Sequence, residues 1–423
     1  MDNSLFLDTD QRFMKPDFYN SSVSSISSVI KKLDLIAPPT LQAKGNKFVE
    51  ELWKERGKQN RIQNLVLIIA DSLGTANIRE TGILNDYLDK NIEVDASFPT
   101  MTSTNMASLS HAQFPSTHGL VGYNIYHEKL HGLYNALNCQ TVSNGQDVPI
   151  DKLKLTKQDI IAGENVFNLL NNQANICMQD FYYELWVPDI FPMQGLPQYL
   201  FGKTTPTFSY ETYDPKRMLQ ELYHHLFNSR SLNVIGIYFP HTDMTSHLYT
   251  AQSKEYLISL KLLESIIKGL ERHPTVNMGE TAIVVTSDHG QVTLPTGSQN
   301  VKVSQSDVKT HREKGFSIGT SGRTLHVYYG DERGQRNAED YLAQYFNNER
   351  NGIILTQEEA LKLLGPDKPS ENYLQRLGQK VILIDENFYL DYPEVVTYGE
   401  EKELRAQHGG LSKRELKVPF LLI

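Results

Sequence analysis

Three apolar runs that end at or just before acidic residues constrain the fold of this chain most strongly. They are NLVLIIAD at residues 64–71, SLNVIGIYF at 231–239 leading into PHTDMTSH, and TAIVVTSDHG at 281–290. Continuous apolar runs of this length are typical of strands buried on both faces of a parallel sheet. KVPFLLI closes the chain as a further strand, and 253–272 has the apolar spacing of an amphipathic helix. The alternation predicts an α/β fold: a mostly parallel central sheet with helices on both faces.

The 423 residues contain no internal repeat and no long linker. Although domains of ~100–200 residues are common, we expect one large α/β domain over residues 1–423. Residues 1–63 form its lead-in, with helices predicted over 21–36 and 46–56, the first ending before Pro38 and Pro39. Residues 125–215 are expected to form an irregular insertion or cap. Its aromatic residues suit either base stacking or an ordinary core: Phe181, Tyr182, Tyr183 and Trp186.

Composition excludes several classes of protein. Lys and Arg number 41 against 50 Asp and Glu, a net charge of -9, which argues against general nucleic-acid binding. No apolar run approaches the ~18–20 residues of a membrane-spanning helix, and the N-terminus shows no secretory signal pattern. Only two cysteines, Cys139 and Cys177, are present. We therefore expect a cytoplasmic protein with no membrane association, whose metal ligands would be histidines and carboxylates.

Residues able to bind a hard metal ion gather at the predicted strand ends. Each has an ordinary explanation by itself, such as a helix N-cap for Asp71 or a loop position for His408. Ligands of open α/β sheets collect beyond the carboxyl ends of the strands, so we expect these side chains to meet there. Together they suit two zinc-like ions that clamp a phosphoryl group between them. The six residues are Asp71, Asp243, His247, Asp288, His289 and His408.

A nucleophile is expected in the segment 98–124. Phe98 and Pro99 end an extended stretch, and a short helix is predicted from about 103 to 112, with Thr102 at or beside its N-cap. Free N–H groups at a helix start favour a phosphate, and a hydroxyl beside a metal ion can ionise and attack phosphorus. Thr102 could also be only a capping hydroxyl. On composition alone, Thr100 and Thr104 compete for the role.

Several motifs, taken in order, give the chain a specific resemblance. FPTMT at 98–102, PSTHGLV at 115–121, TDMTSH at 242–247, SDHG at 287–290 and QHGGLS at 407–412 resemble those of the type I phosphodiesterase/nucleotide pyrophosphatase family, in the alkaline phosphatase superfamily. The resemblance runs from about residue 65 to the C-terminus. SGRTLHVYYG at 321–330, ILTQEEAL at 354–361 and LQRLGQKVILI at 374–384 are similar to bacterial cytoplasmic-type members.

The resemblance implies an alkaline-phosphatase-like fold and a role for each residue. Asp71, Thr102, Asp288 and His289 would surround one divalent ion, and Asp243, His247 and His408 would hold the other. Zinc is the first expectation for both ions and manganese the second. Thr102 would be the covalent nucleophile, and His118 is interpreted as structural. The family's phosphate-binding Asn falls by gap-free match on Tyr123, with Asn124 one place later, so both are candidate substrate-binding residues.

The expected substrate is a small phosphate ester or nucleotide, and rival functions remain. A sulfatase would need a Cys-x-Pro-x-Arg motif, which neither cysteine provides, and a phosphoethanolamine transferase would need membrane spans. A phosphomutase should carry a different cap. A phosphomonoesterase could use the same ligands, but residues 100–122 contain no Lys or Arg for the extra charge of a monoester, although a distant residue such as Arg323 could supply one. A catalytically idle relative that binds a phosphorylated ligand or a partner protein is the third alternative.

Overall fold

The computed structural model describes residues 12–18, 64–143, 146–149, 152, 154–166, 168, 181–188, 204–208, 215–228, 232–346, 350–369, 371–393 and 403–423. The helices predicted over 21–36 and 46–56 lie outside these residues. Among the described residues, no helix is long and apolar enough to cross a membrane.

Nineteen strands are described. They are β1 Asn64–Ala70, β2 Ile92–Asp95, β3 Asn124–His127, β4 Gly132–Asn135, β5 Gln140–Ser143, β6 Gln146–Pro149, β7 Phe181–Pro188, β8 Thr204–Phe208, β9 Leu232–Phe239, β10 Thr281–Thr286, β11 Val292–Thr293, β12 Asn300–Lys302, β13 Phe316–Ser321, β14 Thr324–Tyr329, β15 Gly352–Thr356, β16 Lys380–Ile384, β17 Tyr389–Asp391, β18 Ala406–Gln407 and β19 Lys417–Leu422.

Fourteen α-helices are described alongside them, together with a 3₁₀ turn at Gly297–Gln299. They are α1 Thr75–Thr81, α2 Asn85–Leu88, α3 Thr102–His111, α4 Pro115–His118, α5 Lys157–Ile160, α6 Pro215–Asn228, α7 His241–Tyr249, α8 Lys254–Glu271, α9 Pro274–Asn277, α10 Gln305–Glu313, α11 Glu332–Ala343, α12 Gln357–Leu361, α13 Glu371–Leu377 and α14 Lys413–Leu416.

A seven-stranded sheet forms the centre of the fold, in the order β2-β19-β10-β1-β9-β7-β8. Strands β10, β1, β9, β7 and β8 are mutually parallel, whereas β19 is antiparallel to both β10 and β2. The predicted α/β class with a mostly parallel sheet is therefore confirmed, and KVPFLLI is a strand of that sheet.

The central sheet has a core on each face because its inner strands carry buried apolar side chains on both sides. In β1, Leu65, Leu67 and Ile69 pack into one core, and the alternate residues Val66, Ile68 and Ala70 pack into the other. Helix α8 covers the second core, and its N-cap Ser253 accepts from the backbone N–H of Tyr256. Helix α3 contributes Met106, Ala107 and Leu109 to the first core. This packing explains the uninterrupted apolar runs.

The insertion expected over 125–215 is more regular than predicted. Strands β3–β6 form an antiparallel four-stranded sheet, while β7 and β8 extend the central sheet beside β9. Phe181, Tyr182, Tyr183 and Trp186 therefore lie on a strand of the central sheet. The expectation of an irregular segment is corrected for these strands, because a parallel pairing with the distant β9 leaves no local signal. A further four-stranded sheet has the order β13-β14-β16-β15.

The parallel strands bring three functional segments to one edge of the sheet. Ala70 pairs with Phe239 at the end of β1 and β9, and Ile69 pairs with Thr286 at the end of β10. Asp71, helix α7 and the loop after β10 follow these positions directly. Their side chains consequently meet beyond the carboxyl ends of β1, β9 and β10.

Candidate active site

Asp71, Asp288 and His289 form a buried cluster, with one potential ligand atom from each lying within 4.8 Å of the others. His289 Nε2 is 3.6 Å from Asp71 Oδ1 and 3.4 Å from Asp288 Oδ2. These two carboxylate oxygens are buried and have no hydrogen-bond partner among the described residues. Two adjacent buried carboxylates with unsatisfied oxygens fit a divalent cation, because an uncompensated buried charge is costly.

Electrostatics at Asp71 agree with this fit. Burial raises the pKa of Asp71 well above its ordinary value, and the charges of Asp288 and Asp243 raise it further. The Tyr238 hydroxyl opposes the shift by donating to Asp71 Oδ2. A bound cation would oppose this rise in the pKa, because it favours the ionised carboxylate.

The loop after β10 orients the ligand atoms of this cluster. The backbone N–H groups of Ser72 and His289 donate to Asp288 Oδ1 at 3.1 and 3.0 Å, which leaves Oδ2 directed at the cluster. His289 Nδ1 lies 3.0 Å from the carbonyl of Gly290, so that Nε2 faces Asp71 and Asp288. Such fixed orientation of ligands by outer hydrogen bonds is a general feature of metal sites.

Asp243, His247 and His408 form a second cluster with the same 4.8 Å closeness. Asp243 and His247 are one turn apart on α7, and Asp243 Oδ1 lies 3.1 Å from His247 Nε2 and 3.8 Å from His408 Nε2. The Nδ1 atoms of the two histidines face the carbonyls of Ala406 and Thr100, at 2.7 and 2.9 Å. Burial and nearby His289 hold the pKa of His408 well below its usual range, which favours the neutral ligand form.

The two clusters are adjacent. The rings of His289 and His408 stack with centroids 3.8 Å apart, and those of His247 and His408 lie 5.2 Å apart. The structure thus brings all six strand-end residues together, as the sequence predicts. Their roles as metal ligands stay a prediction.

Thr102 lies beside these clusters. It is the first residue of α3, one position earlier than predicted, and Met101 is the extended N-cap. Thr102 Oγ1 lies 3.1 Å from His289 Nε2. The hydroxyl of Thr100 instead donates to Gly410 O and accepts from the N–H of Gly409. The Thr104 hydroxyl is buried without a partner among the described residues. Of the three competing hydroxyl groups, that of Thr102 alone is described in contact with a cluster residue.

Asn124 and Tyr123 are placed against β13. The Asn124 amide donates to Thr320 Oγ1 at 3.0 Å, and the backbone N–H of Tyr123 donates to Ser321 Oγ at 2.9 Å. Asn124 Oδ1 is buried and lacks a partner among the described residues. The described contacts of Asn124 attach it to β13 rather than to either cluster, so the predicted contact with substrate is neither supported nor contradicted by them.

Arg323 cannot serve as the extra cation considered for a monoester. It is 1% exposed, forms an ion pair with Glu415 and donates to the carbonyl of Ile384. The other Glu415 oxygen accepts from the N–H of Gly410, which supports the loop that follows His408. His118 is buried and lies 3.0 Å from Ser108 Oγ, in agreement with a structural role.

Two residues beside the clusters were missed from the sequence. Tyr238 donates to Asp71, and Gln291 contacts both Asp243 and Ser246. The available signals were weak: Tyr238 is a polar interruption near the end of an apolar run, and Gln291 closely follows Asp288 and His289. Neither signal says which carboxylate the side chain reaches.

The parallel sheet with paired carboxylate–histidine clusters at its strand ends agrees with the alkaline-phosphatase-like fold that the sequence motifs predict. Residues 65–411 match the model of the type I phosphodiesterase/nucleotide pyrophosphatase family. The chain therefore belongs to that family, whose members use divalent metal ions, and it is a phosphoric ester hydrolase. The resemblance drawn from the sequence motifs is confirmed. No curated protein matched the chain.

Solved structures share the fold at low sequence identity. Murine ectonucleotide pyrophosphatase/phosphodiesterase 5, in an inactive form with AMP, is 13% identical with a TM-score of 0.57, covering 85% of this chain and 87% of its own. The human protein of the same name is 12% identical, with the same TM-score and coverage. Phosphonoacetate hydrolase from Sinorhizobium meliloti 1021 with phosphonoformate is 15% identical, with a TM-score of 0.55 and coverage of 84% and 89%. At these identities the likeness shows the fold alone.

Proposed function

We propose that the chain is a two-metal phosphodiesterase/nucleotide pyrophosphatase that acts through a covalent phosphothreonine at Thr102. The observation that carries the proposal is the contact of Thr102 Oγ1 with His289 Nε2 at 3.1 Å, at the start of α3 and beside two adjacent clusters. In this proposal Asp71, Asp288, His289 and Thr102 surround one ion, and Asp243, His247 and His408 hold the other. Zinc is proposed for both positions, with manganese as the alternative.

The proposed reaction has two displacements at phosphorus. Thr102 Oγ1 attacks, an Oγ–P bond forms, and the bond from phosphorus to the leaving alcohol or phosphate breaks. Water then attacks phosphorus, the Oγ–P bond breaks, the phosphorylated product leaves, and Thr102 Oγ1 regains its proton. Divalent ions in the two clusters would favour the alkoxide of Thr102 and neutralise charge on the phosphoryl oxygens. The first backbone N–H groups of α3, which have no partner within the helix, would donate to the same oxygens.

The charges around Thr102 favour a diester or a nucleotide pyrophosphate over a monoester. Residues 100–122 carry no Lys or Arg, and the guanidinium of Arg323 is bound to Glu415. A monoester dianion brings one more negative charge than a diester, and leaving it unpaired in a partly desolvated site costs several kcal/mol. AMP, the ligand of the murine neighbour, is the nucleoside monophosphate that hydrolysis of an adenine nucleotide pyrophosphate would release.

A comparison of two esters with one leaving group tests the proposal. Metal-depleted protein would be reconstituted with zinc, manganese or magnesium and supplied with p-nitrophenyl thymidine 5′-monophosphate or p-nitrophenyl phosphate. We expect the diester to have a kcat/KM at least ~10-fold higher, which is 1.36 kcal/mol in the transition state. A monoester faster by that factor would support the phosphomonoesterase alternative. A protein that binds two ions and hydrolyses neither ester would support the idle relative.

The location of the protein and its division into segments also remain proposals. The cytoplasmic location rests on the cysteine count. The division into a catalytic domain with a lead-in over 1–63 and a cap within 125–215 rests on pattern alone. Cell fractionation tests the first, and limited proteolysis tests the second.

A further inference from the structure

Gln291 lies between the segments that carry the ligands of both clusters. It follows the loop containing Asp288 and His289, and it directly precedes β11. Strand β11 pairs with β18, Val292 opposite Gln407, so Gln291 lies beside the segment that leads to His408. Its side chain is 1% exposed. A buried amide needs hydrogen-bond partners, because burying it unpaired is unfavourable.

Both ends of the Gln291 amide have partners on α7. Oε1 accepts a hydrogen bond from Ser246 Oγ, and Nε2 donates to Asp243 Oδ1 at 3.4 Å. The two partners lie three residues apart on the same helix. A hydroxyl can donate to Oε1 while a carboxylate can only accept, so this orientation of the amide is the one that satisfies both. Asp243 therefore fixes which end of the Gln291 amide faces it, and Ser246 contacts the other end.

A neutral donor suits this position better than a charged one. Lysine or arginine beside Asp243 would neutralise the carboxylate and compete with a cation for it. The amide holds Oδ1 in place and leaves the full negative charge of Asp243 available. Asp243 lies at the centre of its cluster, since the same Oδ1 also faces His247 Nε2 and His408 Nε2.

We propose that Gln291, whose other amide end contacts Ser246, is a positioning residue that sets the affinity of the Asp243–His247–His408 cluster for a divalent cation. The inference rests on the proposed function, because it takes this cluster to be a metal site. Outer hydrogen bonds of this kind change metal affinity or activity by about 10- to 100-fold when removed. The Asp71–Asp288–His289 cluster has its own donor in Tyr238 and should keep its affinity.

The test measures metal affinity directly, without relying on activity. Zinc would be titrated into metal-depleted full-length protein against a chromogenic chelator, for the wild type, Gln291→Met, Ser246→Ala and the double variant. We expect Gln291→Met to weaken one of two zinc equivalents by 10- to 100-fold, and its activity to recover as zinc is raised. Ser246→Ala should weaken the same equivalent, and the double variant should match Gln291→Met, since the serine acts through the glutamine.

Gln357→Leu is the matched control. The Gln357 amide donates to the carbonyls of Leu374 and Gly378, away from both clusters. Its loss should lower thermal stability while leaving both zinc affinities unchanged.

Each result has a defined meaning. The role of Gln291 is overturned if both zinc affinities of Gln291→Met stay within twofold of the wild type. It is also overturned if the effects of the two substitutions add in the double variant. Neither result would affect the proposed function. If Gln291→Met does not fold, unchanged affinities in Ser246→Ala would overturn the role of Gln291 equally. A wild type that binds no zinc, manganese or magnesium would overturn the proposed function and this inference together.

Discussion

Comparing Thr102→Val with Thr104→Val tests whether the Thr102 hydroxyl is the nucleophile or only part of the helix start. Both threonines lie in the first turn of α3 and are buried, and valine keeps the shape of each side chain. Thr102 Oγ1 contacts His289 Nε2 at 3.1 Å, whereas the Thr104 hydroxyl has no partner among the described residues. The two variants therefore differ mainly in whether a hydroxyl beside the clusters is lost.

We expect a large loss of activity in Thr102→Val and almost none in Thr104→Val. Loss of a covalent nucleophile costs about 10⁴-fold or more, as in enzymes whose nucleophile has been removed, and this is at least about 5 kcal/mol in the transition state. Loss of one neutral hydrogen bond costs only about 1 kcal/mol of folding stability. Thr104→Val removes an unsatisfied buried hydroxyl, so its free energy of unfolding should be unchanged or higher.

Hydrolysis of p-nitrophenyl thymidine 5′-monophosphate by the reconstituted variants gives the comparison. Zinc stoichiometry should remain two equivalents in both, because six other side chains hold the ions in the proposed site. Acid quenching during turnover, followed by peptide mass spectrometry, should find a thymidine 5′-monophosphate adduct on Thr102 in the wild type and in Thr104→Val, and no adduct at residue 102 in Thr102→Val. Activity of Thr102→Val within tenfold of wild type would refute the reasoning and move the attack to another hydroxyl, such as that of Thr100, or to water.

Two further predictions concern groups beside the site and in the core. Tyr238→Phe removes the hydrogen-bond donor to Asp71. We therefore expect it to weaken binding of one zinc equivalent by about 10- to 100-fold, namely the equivalent that Gln291→Met leaves unchanged. If both variants weaken the same equivalent, Tyr238 and Gln291 do not act on separate clusters. Burial lowers the pKa of His326 to about 4 from its ordinary 6.5, so the unfolded chain takes up a proton first as pH falls, and this contribution to stability is lost below pH 6.5. Between pH 7 and pH 5 the unfolding free energy of the wild type should fall by about 2 kcal/mol from this residue, as measured by urea titration. His326→Gln should not show this fall. An identical pH dependence of stability in the two proteins would exclude the contribution of His326.

The sequence by itself determined the local elements and the set of chemical groups. Apolar runs predicted β1, β9 and β10, and the periodic segment at 253–272 agrees with α8 at Lys254–Glu271. Helix α3 was predicted within one residue of Thr102–His111. These predictions succeeded because the spacing of apolar residues along the chain indicates directly whether a segment buries one face, as an amphipathic helix does, or both faces, as a central strand does. The motif order also identified the family, since it depends only on residue types and their sequence.

Only the tertiary structure decided which groups meet. It extended the sheet with β7 and β8, paired Arg323 with Glu415, and distinguished Thr102 from Thr100 through their hydrogen bonds. Residue spacing along the chain carries no record of such contacts between distant segments. A side chain such as Gln291 acquires its partners only when the loop after β10 packs against α7, because hydrogen bonds depend on distances and angles that the packed fold alone sets.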